Sequence, residues 1–401
     1  MPTLPNYTQF DGRYWDTAVI RNALDYMGVI APHTNAPYTE ALLLGVSGGI
    51  TFGYFTFHYE GYDPQVNLLT RNTFEPSQTI FDRMGIAQEV LQTTNPDKAR
   101  QTLIQTIEDG HVPIIFPDMW SLPYNALKWD DGMWGGMPVI VVGYEANGEA
   151  VLCDRSYHPL IVPADVLDVA RARIKKDKHR LMMLEHPDHS RLASAVRAGI
   201  MDCVALMTEK PPRGAVTSFG LKALQHWADM LQKDTKESWS RAYATGRPLL
   251  SVLISSYTFL SPVFGKTQQA ERDTYADFLD EASVILNKPE LENVAVRYRM
   301  AGKAWDGLIC ALLPENVPML KKAREYLDIK TELLLEKGSS AVDDMLHQEK
   351  QLDALKTEAQ TDFPMTTTEI ADLRAEIRRH VVLVHDAERE AVLALKLAMK
   401  S

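Results

Sequence analysis

The stretch GRYWDTAVIRNAL (12–24) sets two aromatic residues, Tyr14 and Trp15, where a helix begins. Asp16 or Thr17 reads as the N-cap, and Val19, Ile20, Ala23 and Leu24 form one apolar face. A helix start offers unpaired N–H groups and partial positive charge, a place suited to a thiolate or an anion. The three thiols of the chain lie elsewhere. Cys153 precedes Asp154 on an expected strand, so its side chain faces away from that carboxylate; Cys203 and Cys310 sit in apolar runs. All three read as buried structural cysteines. His58, at the end of an aromatic strand, reads as a hydrogen-bonded histidine, and His158 is a weak candidate base that could turn toward Asp154. Ser47, in GVSGGI, lacks a GxSxG elbow, and its glycines read as a tight turn. Asp118 either lines a cleft or caps the SLPY turn after it. No glycine pattern fits a phosphate loop or a dinucleotide site, and no spacing suits a metal, so no cofactor is expected.

The elements that must position these residues change character along the chain. Helices are predicted over 17–27, 38–45, 77–92, 97–109 and from 163–164 to about 174. Strands are predicted over 50–59, 112–116, 138–144, 149–154 and 180–186, and Glu145 to Gly148 join two of them as a hairpin. Helices followed by an antiparallel sheet give an α+β class for this half. From about 190 almost everything has helical period, with breaks at Pro211-Pro212, Pro262, Pro289, Pro314 to Pro318 and Pro364. Residues 341–361 and 367–400 are long, charged and amphipathic, and suit an antiparallel helical hairpin. The boundary falls near 188, between an α+β domain (1–188) and an all-α helical domain (189–401).

Composition narrows the partners. At 401 residues with 45% hydrophobic and 24% charged residues, the chain is long enough for two well-buried cores. A net charge of −11 disfavours nucleic acid, which needs clustered Lys and Arg to neutralise phosphates. The basic run RARIKKDKHR (171–180) reads as a solvated helix end, with docking of an acidic carrier protein or a phosphate as the other reading. The longest apolar stretch (249–264) is too short and too interrupted for a membrane span, and reads as a buried helix followed by a turn. The N-terminus has no basic and apolar leader pattern, and the cysteines form no CxxC pair. A cytoplasmic location is expected.

Several segments together resemble the butirosin biosynthesis protein H family. They are WDTAVIRNALDYMG (15–28), YTEALLLGVSGGITFGYF (38–55), FPDMWSLPY (116–124), GGMPVIVVGYEANGEAVLCD (135–154) and ERDTYADFLDEASVILNKPELENVAVRYRMAGKAWDGL (271–308). The resemblance implies a papain-like, C39-peptidase-like acyltransferase domain followed by a helical domain. The implied activity is acyl transfer from a carrier protein to an amine in natural-product assembly. It also places the family's Cys-His-Asp positions: the His-Cys pair falls on Tyr14-Trp15, the His after Gly-Gly on Met137, and the acid on Asp154. An indole is no nucleophile and a thioether returns no proton near neutral pH. The resemblance therefore implies a degenerate relative whose cleft, lined by Tyr14, Trp15, Asp16, Trp134, Met137 and Asp154, binds a small molecule or acyl group or is filled. Other readings are acyl or aminoacyl transfer by positioning alone, using Tyr14, Asp16, Asp154 and His158, and a scaffold that pairs with a carrier protein or a second copy through residues 317–400.

Overall fold

A computed structural model describes residues 2–209, 211, 213–261 and 269–400. In chain order the first elements are α1 (Trp15–Tyr26), β1 (Ile30–Ala31), β2 (Ala36–Pro37), α2 (Glu40–Val46), β3 (Ile50–Phe57) and β4 (Gln65–Arg71). There follow α3 (Pro76–Met84), β5 (Gln88–Leu91), α4 (Pro96–Glu108), β6 (Ile114–Ile115), β7 (Val139–Tyr144), β8 (Glu149–Cys153), β9 (Leu160–Pro163), α5 (Ala164–Arg173) and β10 (Leu181–Leu184). The rest is helical: α6 (Leu192–Thr208), α7 (Gly220–Gln232), α8 (Trp239–Ala242), α9 (Gly246–Leu260), α10 (Arg272–Leu286), α11 (Glu290–Leu312), α12 (Pro318–Lys337), α13 (Val342–Thr361) and α14 (Thr367–Ala398). The class is α+β. The turn expected at Pro262 and the break at Pro212 lie outside the described residues.

One compact unit comprises residues up to 43, 77–192 and 329–349. Its sheet runs β5-β10-β6-β7-β8-β9, every neighbouring pair antiparallel. All six residues of β7, VIVVGY, are buried, as a strand covered on both faces requires. α1 and α4 pack on β7, and α5 packs on β8 and β9. The expected β7–β8 hairpin is present. The helix expected over 77–92 is half strand. Gly85 adopts φ +65 and lets Ile86 N–H return to the Phe81 carbonyl at 2.9 Å, which ends α3. Gln88–Leu91 then pairs with β10 as an edge strand. Late residues belong to this unit too: Ser156 Oγ donates to the Leu334 carbonyl (3.1 Å), and Ile161 N–H donates to Ser339 Oγ (2.6 Å).

The second unit comprises 44–76, 193–328 and 350–400. It contains the β3–β4 hairpin, although β3 precedes most of the sheet in sequence. The reason is aromatic. Phe52 stacks on Trp227 at 5.7 Å and meets Trp305 at 5.5 Å, all three fully buried, and Tyr54 accepts from Trp239 Nε1 at 3.0 Å. Aromatic side chains of this size dominate the burial energy of a core. A single boundary at 188 therefore does not describe the chain, because burial assigns β3–β4 to the helices and 329–349 to the sheet. α14 packs on α7 and α11 instead of forming the expected hairpin with α13. Its buried stripe runs through Ile370, Leu373, Ile377, Val381 and Val384 to Glu388, which accepts from Arg272 Nε (2.6 Å) and Trp305 Nε1 (2.7 Å). Among the described residues, no helix is long and apolar enough to cross a membrane.

Candidate functional site

α1 begins at Trp15, with Tyr14 extended before it. The carboxylate at this helix start comes from Glu40, in the first turn of α2. It accepts from Arg13 N–H (2.7 Å), Tyr14 N–H (3.3 Å) and Thr17 Oγ1 (2.9 Å). The positive end of the helix thus already holds a built-in anion. Asp16 accepts from Ser77 Oγ at 2.7 Å. Trp15 is only 7% exposed and meets Tyr14 edge to face at 5.4 Å.

Over the Trp15 ring, at 4.1 Å from its centroid, lies the guanidinium of Arg155. Arg155 is also tied to Asp154: its backbone N–H and Nε reach Oδ1 at 2.7 and 3.0 Å, and Nη2 reaches Oδ2 at 3.2 Å. Nη2 also donates to Asn125 Oδ1 at 2.7 Å. Tyr124 donates its hydroxyl to Asp154 Oδ2 at 3.0 Å. Burial, then the Asp154 charge, holds that hydroxyl well above its ordinary pKa, so it stays a donor. Trp15, Tyr124, Asp154 and Arg155 are all buried. Both oxygens of the acid are taken, by a cation and a phenol, and the cation is stacked on an indole.

The remaining expected residues have these surroundings. Met137 is half-buried, its backbone N–H donating to the Pro117 carbonyl at 3.1 Å just before β7. Trp134, expected beside Trp15, is 55% exposed with the Lys176 ammonium 5.7 Å over its ring. Asp118 is a cap: Oδ2 accepts from Ser121 N–H (3.1 Å), Ser121 Oγ (2.7 Å) and Arg173 Nη1 (3.1 Å), and Oδ1 accepts from Gly135 N–H (2.8 Å). His158 is exposed and its backbone N–H donates to Ser156 Oγ, so it does not turn inward. His58 is hydrogen-bonded, Nε2 to Tyr243 Oη at 3.0 Å, and Ser47 Oγ donates to the Leu44 carbonyl.

Two of the cysteines are structural, as read from sequence. Burial pushes the thiols of Cys153 and Cys203 up to about 12, and each donates to a carbonyl, of Gln9 (3.2 Å) and Ile50 (3.3 Å) respectively. Cys310 is exposed, contrary to expectation. The buried stripe of α11 passes through Leu291, Val294, Tyr298, Ala301, Trp305, Leu308 and Leu312, and position 310 falls about 200° round the helix from Leu308. Among the described residues, no group of three or more His, Cys, Asp or Glu could hold a metal ion.

The family described as butirosin biosynthesis protein H, N-terminal, matches residues 16–155. No curated protein gives a significant match to the chain. The matched stretch takes in Asp118, Tyr124, Met137, Asp154 and Arg155, and starts one residue after Trp15. Arg155, Tyr124 and Glu40 escaped the sequence reading. The available signals were an arginine directly after the acid, the tyrosine of LPY, and a glutamate opening α2.

Proposed function

We propose that the chain is a catalytically degenerate relative of butirosin biosynthesis protein H-type acyltransferases, in which the papain-like triad positions have become structural. One observation carries this reading: Asp154 is bound into a buried Arg155–Tyr124–Asn125 network capped by Trp15. An acid that must orient an imidazole needs a free oxygen, and a nucleophile at a helix start needs an uncompensated N-terminus. Glu40 and Arg155 fill those needs with side chains. Of the two versions of a degenerate relative, burial of the network favours a scaffold or interaction protein over one that binds a small molecule at this spot.

The test is amine acylation from a panel of activated acyl thioesters, by the wild-type chain and by Asp154→Asn. The reading expects no catalytic turnover that depends on Asp154. Turnover by wild type that disappears in a folded Asp154→Asn variant overturns it.

A further inference from the structure

The basic run 171–180, read from sequence as a solvated helix end, begins with a residue that water does not reach. Arg171, on α5, is 2% exposed. Its Nη2 donates to the His179 carbonyl at 3.0 Å, and its Nη1 makes only a long 3.4 Å bond to the Ala99 carbonyl. Nε has no hydrogen-bond partner, and the guanidinium makes no ion pair, among the described residues. The Asp168 charge is felt at Arg171, but that carboxylate is ion-paired with Arg100 at 2.9 Å. A buried cation held by two carbonyls is costly, because a charge taken out of water needs a counter-charge. Beside it, α4, α5 and the turns after β5 and before β10 enclose a cavity of about 200 Å³. Ala99 and His179, whose carbonyls hold the guanidinium, line this cavity together with Arg171, so the unpartnered donor stands at its wall.

We propose that this cavity binds one inorganic phosphate ion, with Arg171 and Lys98 as its charge partners. Lys98, exposed to solvent on α4, brings a second cation to the wall, and Thr93 and Thr102 bring hydroxyls. Among the described residues the wall contains no carboxylate side chain, although the chain carries a net charge of −11. Size selects the ligand. Sites for drug-sized molecules measure about 300–1,000 Å³, whereas one water takes about 30 Å³, so 200 Å³ suits a small ion with a few waters. Cations and hydroxyls drawn from α4, α5 and the turn after β5 suit an ion with several acceptor oxygens. Arg171 Nε is the donor left for it. This site stands independently of the reading of Asp154.

The experiment is equilibrium dialysis of the full chain against radiolabelled inorganic phosphate. It is run in about 0.15 M chloride, where loose association with surface charge is screened. Wild type binds one phosphate per chain saturably. Arg171→Met, shown to be folded by circular dichroism, loses that binding, and Lys98→Ala weakens it about threefold or more. Lys175→Ala, in the same basic run but outside the cavity wall, binds as wild type does. Absence of saturable binding by wild type overturns the site. So does a Lys98→Ala chain, or a folded Arg171→Met chain, that binds as tightly as wild type. A Lys175→Ala chain weakened as much as Lys98→Ala also overturns it, because the ion would then be sitting on the surface charge of the run.

Discussion

At Asp154, Oδ1 accepts from the backbone and Nε of Arg155, and Oδ2 accepts from Tyr124 and Arg155 Nη2. A buried pair of this kind adds little against a hydrophobic replacement of both partners, but removing one partner strands a charge at about 3–5 kcal/mol. The same logic applies to Glu40, whose carboxylate serves two backbone donors and a hydroxyl at the α1 start. Glu40→Ala is expected to lower stability by about 1–3 kcal/mol in urea unfolding, more than Glu40→Gln, which keeps an acceptor. The thiols give a second check at this scale. A disulfide reagent added to the native chain should titrate one thiol quickly, Cys310, and all three only in denaturant, because Cys153 and Cys203 are buried with their thiols pushed up to about 12. Trp15 and Asp154 were legible as positions because the surrounding motifs resemble a family. Arg155 was not legible as their partner. A single sequence shows that it follows Asp154 and nothing of where its guanidinium goes.

Among the elements, those with a strong local period were readable: α1, α4, the β7–β8 hairpin, and α14, whose start is fixed by a Thr366–Glu369 capping box. β5 was not, since QEVL between Gly85 and Pro96 is as compatible with a helix as with an edge strand until β10 pairs with it. β4 was missed because QVNLLTR acquires its alternation only against β3 and α9. Its last residue, Arg71, makes a buried ion pair with Glu271 through Nε at 3.0 Å and through Nη2, and Thr70 Oγ1 adds a 2.6 Å bond. Burial alone would raise the Glu271 pKa, but the Arg71 guanidinium and Thr70 bring it below its usual 4.5. A depressed carboxyl contributes stability above its unfolded pKa and loses it as pH falls through the folded value. Glu271→Gln should therefore be about 3 kcal/mol less stable than wild type near pH 7, with the gap shrinking below about pH 4. Urea unfolding across that range reads it, and a pH-independent gap contradicts it. A tighter test of helix packing is Gly199 on α6. A Cβ there would fall 2.0 Å from the Gly45 carbonyl oxygen on α2. Gly199→Ala should lower the midpoint by several degrees, the overpacking cost being about 1–3 kcal/mol.

For the whole molecule, the chain passes between its two compact units at 43/44, 76/77, 192/193, 328/329 and 349/350. Composition placed one boundary near 188, close to one of these crossings. The others were invisible because hydrophobic period shows that a face is buried and not which core buries it. Residues 1–188 alone would lack the Leu334 contact to the β8–β9 loop and the Ser339 contact to β9, and would carry a β3–β4 hairpin without Trp227 and Trp305. Neither 1–188 nor 189–401 expressed separately should show a cooperative thermal transition by circular dichroism. A sharp transition in either piece would contradict this division.

The most direct measurement is a double-mutant cycle on the buried pair, by urea denaturation of wild type, Asp154→Asn, Arg155→Met and the double variant. If Asp154 is half of a structural ion pair, each single change costs about 3 kcal/mol or more, and the double costs clearly less than their sum. If Asp154→Asn is as stable as wild type, the carboxylate is not held there for structure, and the account of a triad turned into core fails.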